Sequence, residues 1–203
     1  MVKRAVDLTC ATVGLLVLSP VMLIVALVIR CAIGRPVLFR QTRPGFLARP
    51  FSLLKFRTMR EAKDSRGRLL PDAARLTNTG KWIRRLSLDE LPQLCNVLQG
   101  DMSLVGPRPL LMQYLPYFSE KERLRFSVRP GITGLAQVNG RNDLRWDDRI
   151  AFDVWYVENW SLSMDFKILG LTLWRVFRHD GVRVDPGAVM QNLDEERRSR
   201  LHG

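Results

Sequence analysis

The hydrophobic pattern opens with its longest feature. From Leu8 to Ile29 no residue carries a charge. As a helix these 22 residues reach about 33 Å, enough to cross the hydrocarbon of a bilayer. Ser19-Pro20 falls in mid-run. Proline removes one helix hydrogen bond and crowds the preceding turn, so a kink is predicted there. The period then shortens. Val37-Leu38-Phe39 and Phe51 to Met59 read as short strands, and in the second Leu54, Phe56 and Thr58 alternate with Lys55, Arg57 and Met59. Glu61 to Asp72 is a polar loop with Ser65-Arg66-Gly67 at its tip, and Thr77-Asn78-Thr79-Gly80 is a turn before a helical stretch, Lys81 to Leu86. A helical period returns at Leu91, Leu94, Cys95, Val97 and Leu98 and stops at Gly100, a natural C-cap. Leu110 to Phe126 reads as an amphipathic helix, Leu135 to Val138 as a strand, and Trp146 to Asn159 and Trp160 to Arg178 as two helices. The polar residues 181–203 read as a loosely held tail. The pattern predicts an α+β fold. It has an apolar segment at 1–33, a small and mostly helical domain with short strands at 34–180, and a tail at 181–203.

Charge changes the reading of the apolar run. Lys3 and Arg4 precede it; Arg30, Arg35, Arg40 and Arg43 follow it. Basic residues favour the cytoplasmic side, and a straight span cannot put both ends there. A helix broken at Ser19-Pro20 that enters and leaves by one face can. Its freed backbone groups then need partners, such as the Ser19 hydroxyl. A signal peptide fits worse, because the run is long and no small-residue cleavage site follows.

Overall, 32 Lys and Arg face 20 Asp and Glu, for a net charge of +12. That balance suits anionic partners: nucleic acid, acidic lipid or phosphorylated substrates. Between Arg35 and Arg68 ten basic residues meet only Glu61 and Asp64, a juxtamembrane cluster that anionic lipid attracts. Nucleic acid is set aside, since no motif for binding it occurs and the apolar run would go unexplained. Tryptophan and basic residues in 160–178 suit either a membrane interface or a core helix. Three cysteines, Cys10, Cys31 and Cys95, form no framework, and two histidines, His179 and His202, argue against a zinc site or a serine-histidine triad.

The densest chemistry lies at Ser87-Leu88-Asp89-Glu90-Leu91-Pro92-Gln93-Leu94, just after Arg84-Arg85. Ser87 and Glu90 have the spacing of a capping box. Alternatively Asp89 is the cap and Pro92 sits in the first turn. Either way two acids stand at a helix N-terminus, where the dipole favours the ionised form. Acids at such positions are often only caps. An ionised Asp beside cations is also a plausible nucleophile toward phosphorus. Further on, Gly106-Pro107-Arg108-Pro109 sets an arginine between two prolines. A clamped arginine suits a phosphate or a uracil edge; a structural turn is the plainer alternative. Asn139-Gly140 is a tight turn that places Arg141. The loop Arg129-Pro130-Gly131-Ile132-Thr133-Gly134 lacks the pattern of a P-loop.

Taken together, the motifs resemble the bacterial sugar transferases, the monotopic polyprenyl-phosphate phosphoglycosyl transferases. The resemblance runs through Lys3-Arg4, the run broken at Ser19-Pro20, Lys55-Phe56-Arg57-Thr58-Met59, the Ser87–Leu94 stretch, Gly100 to Pro109 and Arg129 to Gly134. It covers roughly residues 1 to 178 and is specific, because the central motifs are close to verbatim. Larger members carry transmembrane helices ahead of this unit, so a minimal member is expected. The resemblance implies transfer of a sugar phosphate from a UDP-sugar to polyprenyl phosphate with release of UMP. It makes Asp89 the nucleophile and a Mg²⁺ contact, with Glu90 in support. It places Lys55, Arg84 and Arg141 near the phosphates and Pro107-Arg108-Pro109 at the uridine end. It also implies a re-entrant helix in the bacterial inner membrane, with the domain on the cytoplasmic face beside anionic lipid. A non-catalytic membrane scaffold and a sugar-only transferase releasing UDP are the alternatives.

Overall fold

The structure is a computed structural model and describes residues 2–140, 144–178 and 192–202. One long helix, α1 (Val2–Ala32), leads the chain. A hairpin follows, with β1 (Leu38–Pro44) antiparallel to β2 (Pro50–Phe56) and Phe39 opposite Lys55. Helices α2 (Asp72–Arg75), α3 (Asn78–Arg85) and α4 (Gln93–Gln99) lead to β3 (Ser103–Val105). After α5 (Glu120–Arg123), β4 (Gly131–Thr133) lies parallel to β3. Helices α6 (Leu135–Asn139), α7 (Trp146–Glu158), α8 (Leu162–Arg178) and α9 (Leu193–His202) complete the mostly helical α+β fold.

Helix α1 is continuous through Ser19 and Pro20 rather than two helices meeting at a break. Pro20 has no N–H for the carbonyl four residues back, that of Leu16. The Ser19 hydroxyl donates to that carbonyl at 2.8 Å, which satisfies the acceptor and preserves the helix. One stripe of α1 is buried. Ala11, Leu15 and Leu18 pack on Leu53, Leu94, Val97 and Met102, and Met22, Val25 and Ile29 pack on Phe56 and Ile83. The opposite face, with Val13, Leu16, Val17, Leu23, Ile24 and Leu27, is exposed. An apolar face this long is unsuited to water.

Both ends of α1 are fastened to the domain by polar contacts. Lys3 pairs with Asp165 and donates to the Val105 carbonyl at 3.1 Å. Arg4 donates to the carbonyls of Val97 and Leu98 in the last turn of α4 at 2.6 and 3.1 Å. The buried Asp7 carboxylate accepts from the Ser103 hydroxyl at 2.8 Å and the Leu104 N–H at 3.0 Å. At the far end Arg57 and Arg60 donate to the carbonyls of Ile33 and Ala32, each at 3.1 Å.

Four segments depart from the sequence pattern. Thr77 caps α3 by accepting from the Gly80 N–H at 2.9 Å, so the predicted turn is the first helical turn. Pro116 lies in a 3-10 turn (Met112–Tyr117), and the predicted helix from Leu110 to Phe126 divides there, with a capping box from Ser119 to Glu122 starting α5. Leu135 to Val138 is helical, not a strand; Gly131–Thr133 takes the pairing edge of β3 instead. Residues 192–202 are not loose. Leu193 is fully buried among Tyr114, Trp146 and Ile150, and the Tyr114 hydroxyl donates to Asn192 at 3.1 Å. A single apolar anchor in a charged segment leaves no period to read.

Candidate active site

The acidic pair sits between α3 and α4. Ser87 takes a left-handed conformation, φ 55° and ψ 20°, with no side-chain cap. A positive φ is uncommon outside glycine, and here it turns the chain out of α3. Leu88–Glu90 then forms a 3-10 turn, and Pro92 stands at the start of α4. Neither predicted cap forms. Leu88 and Leu91 pack beside Ile29, Phe56 and Ile83, so the turn is held by its apolar residues.

The two acids have different surroundings. One oxygen of Glu90 accepts from Lys55 at 2.8 Å and from Arg108 at 2.6 Å. Asp89 is 8% exposed, and among the described residues no side chain or backbone group bonds or ion-pairs with it. Arg84 comes from the last turn of α3, where its Nε donates to the buried Thr58 hydroxyl at 2.9 Å. Burial, and then the neighbouring Glu90 charge, push the Asp89 carboxyl above the usual aspartate range. Lys55, Arg84 and Arg108 pull it back only in part. Burial also opposes ionisation of Glu90. There Arg108 and Lys55 overcome it and hold the carboxyl well below the usual range. Glu90 is thus a permanent anion that fixes two cations. Asp89 is a carboxyl inside a cationic field, with no partner among the described residues.

The frame behind the pair is rigid. Asn96, on α4, has no exposed surface. Its side chain accepts from the Leu54 N–H at 3.0 Å and donates to the Ser52 carbonyl at 2.8 Å. This ties α4 to β2 and sets Lys55 against Glu90. The second basic residue of the predicted strand face, Arg57, goes to the end of α1 instead.

Arg108 arrives on a separate segment. β3 and β4 pair closely beside Gly106 and Gly131. A Cβ at Gly106 would lie 2.5 Å from the Arg129 carbonyl oxygen, and one at Gly131 would lie 2.1 Å from the Gly106 nitrogen. Pro107 and Pro109 are buried on either side of Arg108. Beneath them Arg125 donates to the Arg108 carbonyl at 2.8 Å and to Asp153 of α7 at 2.6 Å. Its guanidinium lies 5.3 and 5.4 Å from the ring centres of Phe118 and Phe126.

The fold therefore assembles Asp89, Glu90, Lys55, Arg84 and Arg108 from four separated stretches. Pro107 and Pro109 frame the last. Arg141 lies outside the described residues. Sequence reasoning missed Asn96, Thr58 and the Arg125–Asp153 pair. The one available signal was Asn96, a polar residue interrupting an apolar helical face. Among the described residues no three potential ligands cluster around a metal position. A metal ion here would have the unpaired Asp89 carboxylate and must draw its remaining ligands from substrate and water. That suits Mg²⁺, which keeps waters and binds through one or two carboxylates plus phosphates.

A buried carboxylate with no partner among the described residues, ringed by cations and beside a long apolar helix, makes a candidate site for an anionic substrate. The family is settled by comparison: residues 1–179 match the model of the bacterial sugar transferase family, and the chain belongs to that family. It is 55% identical to the uncharacterized sugar transferase EpsL of Bacillus subtilis (strain 168), over 90% of this chain and 91% of the relative. The exopolysaccharide production protein ExoY of Rhizobium meliloti (strain 1021) is 40% identical over 85% of this chain and 84% of its own. The UDP-glucose:undecaprenyl-phosphate glucose-1-phosphate transferase of Escherichia coli (strain K12) is 40% identical. That match covers 87% of this chain and 40% of the relative.

Proposed function

We propose that this protein transfers a sugar 1-phosphate from a UDP-sugar to polyprenyl phosphate, undecaprenyl phosphate in bacteria, and releases UMP. It would thereby begin a membrane-bound glycoconjugate. The observation that carries this reading is the division between the two acids: Glu90 is engaged by Lys55 and Arg108, while Asp89 has no partner among the described residues. Its oxygen attacks the phosphorus that bears the sugar. A P–O bond forms to Asp89, the anhydride P–O bond breaks, and its electron pair leaves on the phosphate of UMP. Polyprenyl phosphate then attacks the same phosphorus and Asp89 departs as carboxylate. Splitting the transfer this way means that the two bulky substrates need not be bound together. Lys55, Arg84 and Arg108 offset the phosphate charge that would otherwise repel an approaching carboxylate. Arg141 is proposed to join them, and Mg²⁺, bound by Asp89, would neutralise the diphosphate.

The proposed membrane placement is supported by α1. A helix of 31 residues is about 46 Å long, and both of its ends touch the same domain. A straight crossing would place those ends on opposite sides of about 30 Å of hydrocarbon and carry the domain into it. A re-entrant course for α1, with the exposed face in lipid, would keep the domain at the cytoplasmic face of the inner membrane. The exposed Phe166, Leu171, Leu173 and Trp174 of α8 suit the interface, and the basic 35–68 region suits anionic lipid.

The test is an Asp89→Asn variant given a UDP-sugar labelled in both phosphorus and sugar. The wild type should retain label on the protein and release UMP; the variant should do neither. Normal turnover by Asp89→Asn, or release of UDP by the wild type, would overturn the reading.

A further inference from the structure

The Arg108 segment has a second arginine against it that the site described above leaves unused. Arg43, near the end of β1, reaches over to the segment. It donates to the Pro109 carbonyl at 3.4 Å and to the Gln41 side chain at 2.6 Å. Both acceptors are neutral. Its Nε is buried without a partner, and among the described residues no carboxylate lies within ion-pair distance of it. The charged group that acts on it most strongly is another cation, Arg108. Burial and then Arg108 lower the Arg43 guanidinium to about 10.

Holding a guanidinium half-buried beside a like charge is costly unless an anion joins it. The acids nearby are already engaged: Glu90 by Lys55 and Arg108, and Asp153 by Arg125. Among the described residues no acid pairs with Arg43, and the phosphate of a bound substrate would supply the anion. Arg43 from β1 and Arg108 from the proline-fixed segment that Arg43 touches offer two guanidinium groups to one phosphate ester.

We infer that Arg43 is a substrate-binding residue that, together with Arg108, holds the nucleoside-side phosphate of the donor. This rests on the proposed phosphosugar transfer. Arg108 bonds Glu90 on the Asp89 side of the segment, while Arg43 contacts it one residue further along, at Pro109. The phosphate attacked by Asp89 lies toward the first, and the phosphate that departs with uridine lies toward the second. Arg43 then stabilises the oxygen on which UMP leaves.

The test compares binding of uridine and of UMP to the purified full chain by titration calorimetry. Wild type should prefer UMP. Arg43→Gln keeps an N–H donor for the Pro109 carbonyl and removes the charge. It should lower the UMP-to-uridine affinity ratio by about ten- to a hundredfold, the size of a charge-assisted hydrogen bond, with uridine affinity unchanged. Arg43→Lys should fall between the two, because it keeps charge but loses the planar fork. A wild-type ratio in Arg43→Gln overturns the assignment. If Arg43→Gln does not fold, Arg43→Lys decides, and a wild-type ratio there also overturns it. A wild type that binds neither ligand overturns the donor reading itself, which the Asp89→Asn labelling experiment tests separately.

Discussion

The Arg125–Asp153 pair offers the sharpest test of how the site is held. Both side chains are 2% exposed, and the pair joins α7 to the carbonyl of Arg108. It is incompletely satisfied: Arg125 Nε and Nη1 and one oxygen of Asp153 are buried without hydrogen bonds. Burial pushes the Asp153 carboxyl up, and Arg125 only partly pulls it back. Desolvation therefore outweighs the attraction. Removing one member still leaves the other charge stranded, at about 3–5 kcal/mol. At about 2–4 °C per kcal/mol for a chain of this size, Asp153→Ala should lower the thermal midpoint by roughly 6–20 °C.

Removing both charges should behave differently. Replacing a buried pair by apolar residues of similar volume is often neutral or stabilising. Arg125→Met with Asp153→Leu should therefore recover most of the lost midpoint. It should not recover donor binding, because the Arg108 carbonyl has still lost its donor. The assay is thermal unfolding in detergent beside the KM for the UDP-sugar. A single variant that shifts the midpoint by less than about 2 °C, under roughly 1 kcal/mol, would refute the reasoning. So would a double variant no more stable than the singles.

Two more outcomes are expected. Formation of the phosphosugar-enzyme should increase with pH as Asp89 ionises. Its acid limb should lie above the ordinary aspartate value of about 3.9, because burial and Glu90 raise that group; in Arg84→Gln the limb should move higher still. A limb at the ordinary value in the wild type would contradict the surroundings described for Asp89. For topology, Val2→Cys and Arg35→Cys, in a background without Cys10, Cys31 and Cys95, should both react with a membrane-impermeant thiol reagent from the cytoplasmic side only. Reaction from opposite sides would restore a spanning helix.

How far the sequence was legible depended on whether each contact is local. The apolar run, the α4 period, the Gly100 cap and the helices from Trp146 onward rest on neighbours in sequence, and the structure has them. The acids of the dyad stood out in the sequence, but the cap expected of them does not form. Ser87–Glu90 spacing says nothing of the φ that Ser87 adopts, and the packing of Leu88 and Leu91 decides which way the acids face. The contrast between Asp89 and Glu90 was invisible for the same reason. It depends on Lys55 and Arg108, which lie 35 and 18 residues away in sequence. Arg125 and Asp153 read as ordinary surface charges of amphipathic helices until α7 and the Phe118–Phe126 turns are folded together.

The same long-range wiring links the anchor to the site. Strand β3 carries Ser103, whose hydroxyl and following N–H are held by Asp7 of α1, and Val105, whose carbonyl is held by Lys3. The next residues are Gly106-Pro107-Arg108, and Arg108 reaches Glu90. The hairpin closes the circuit: β2 sends Lys55 to Glu90 and is followed by Arg57, which holds the far end of α1. The two cations that fix Glu90 therefore belong to segments fastened to opposite ends of the apolar helix. A membrane that sets the position of α1 thereby also sets the frame on which Asp89 stands unpaired. Under the proposed transfer to a lipid phosphate, this is a physical reason to build the anchor into the same domain as the site.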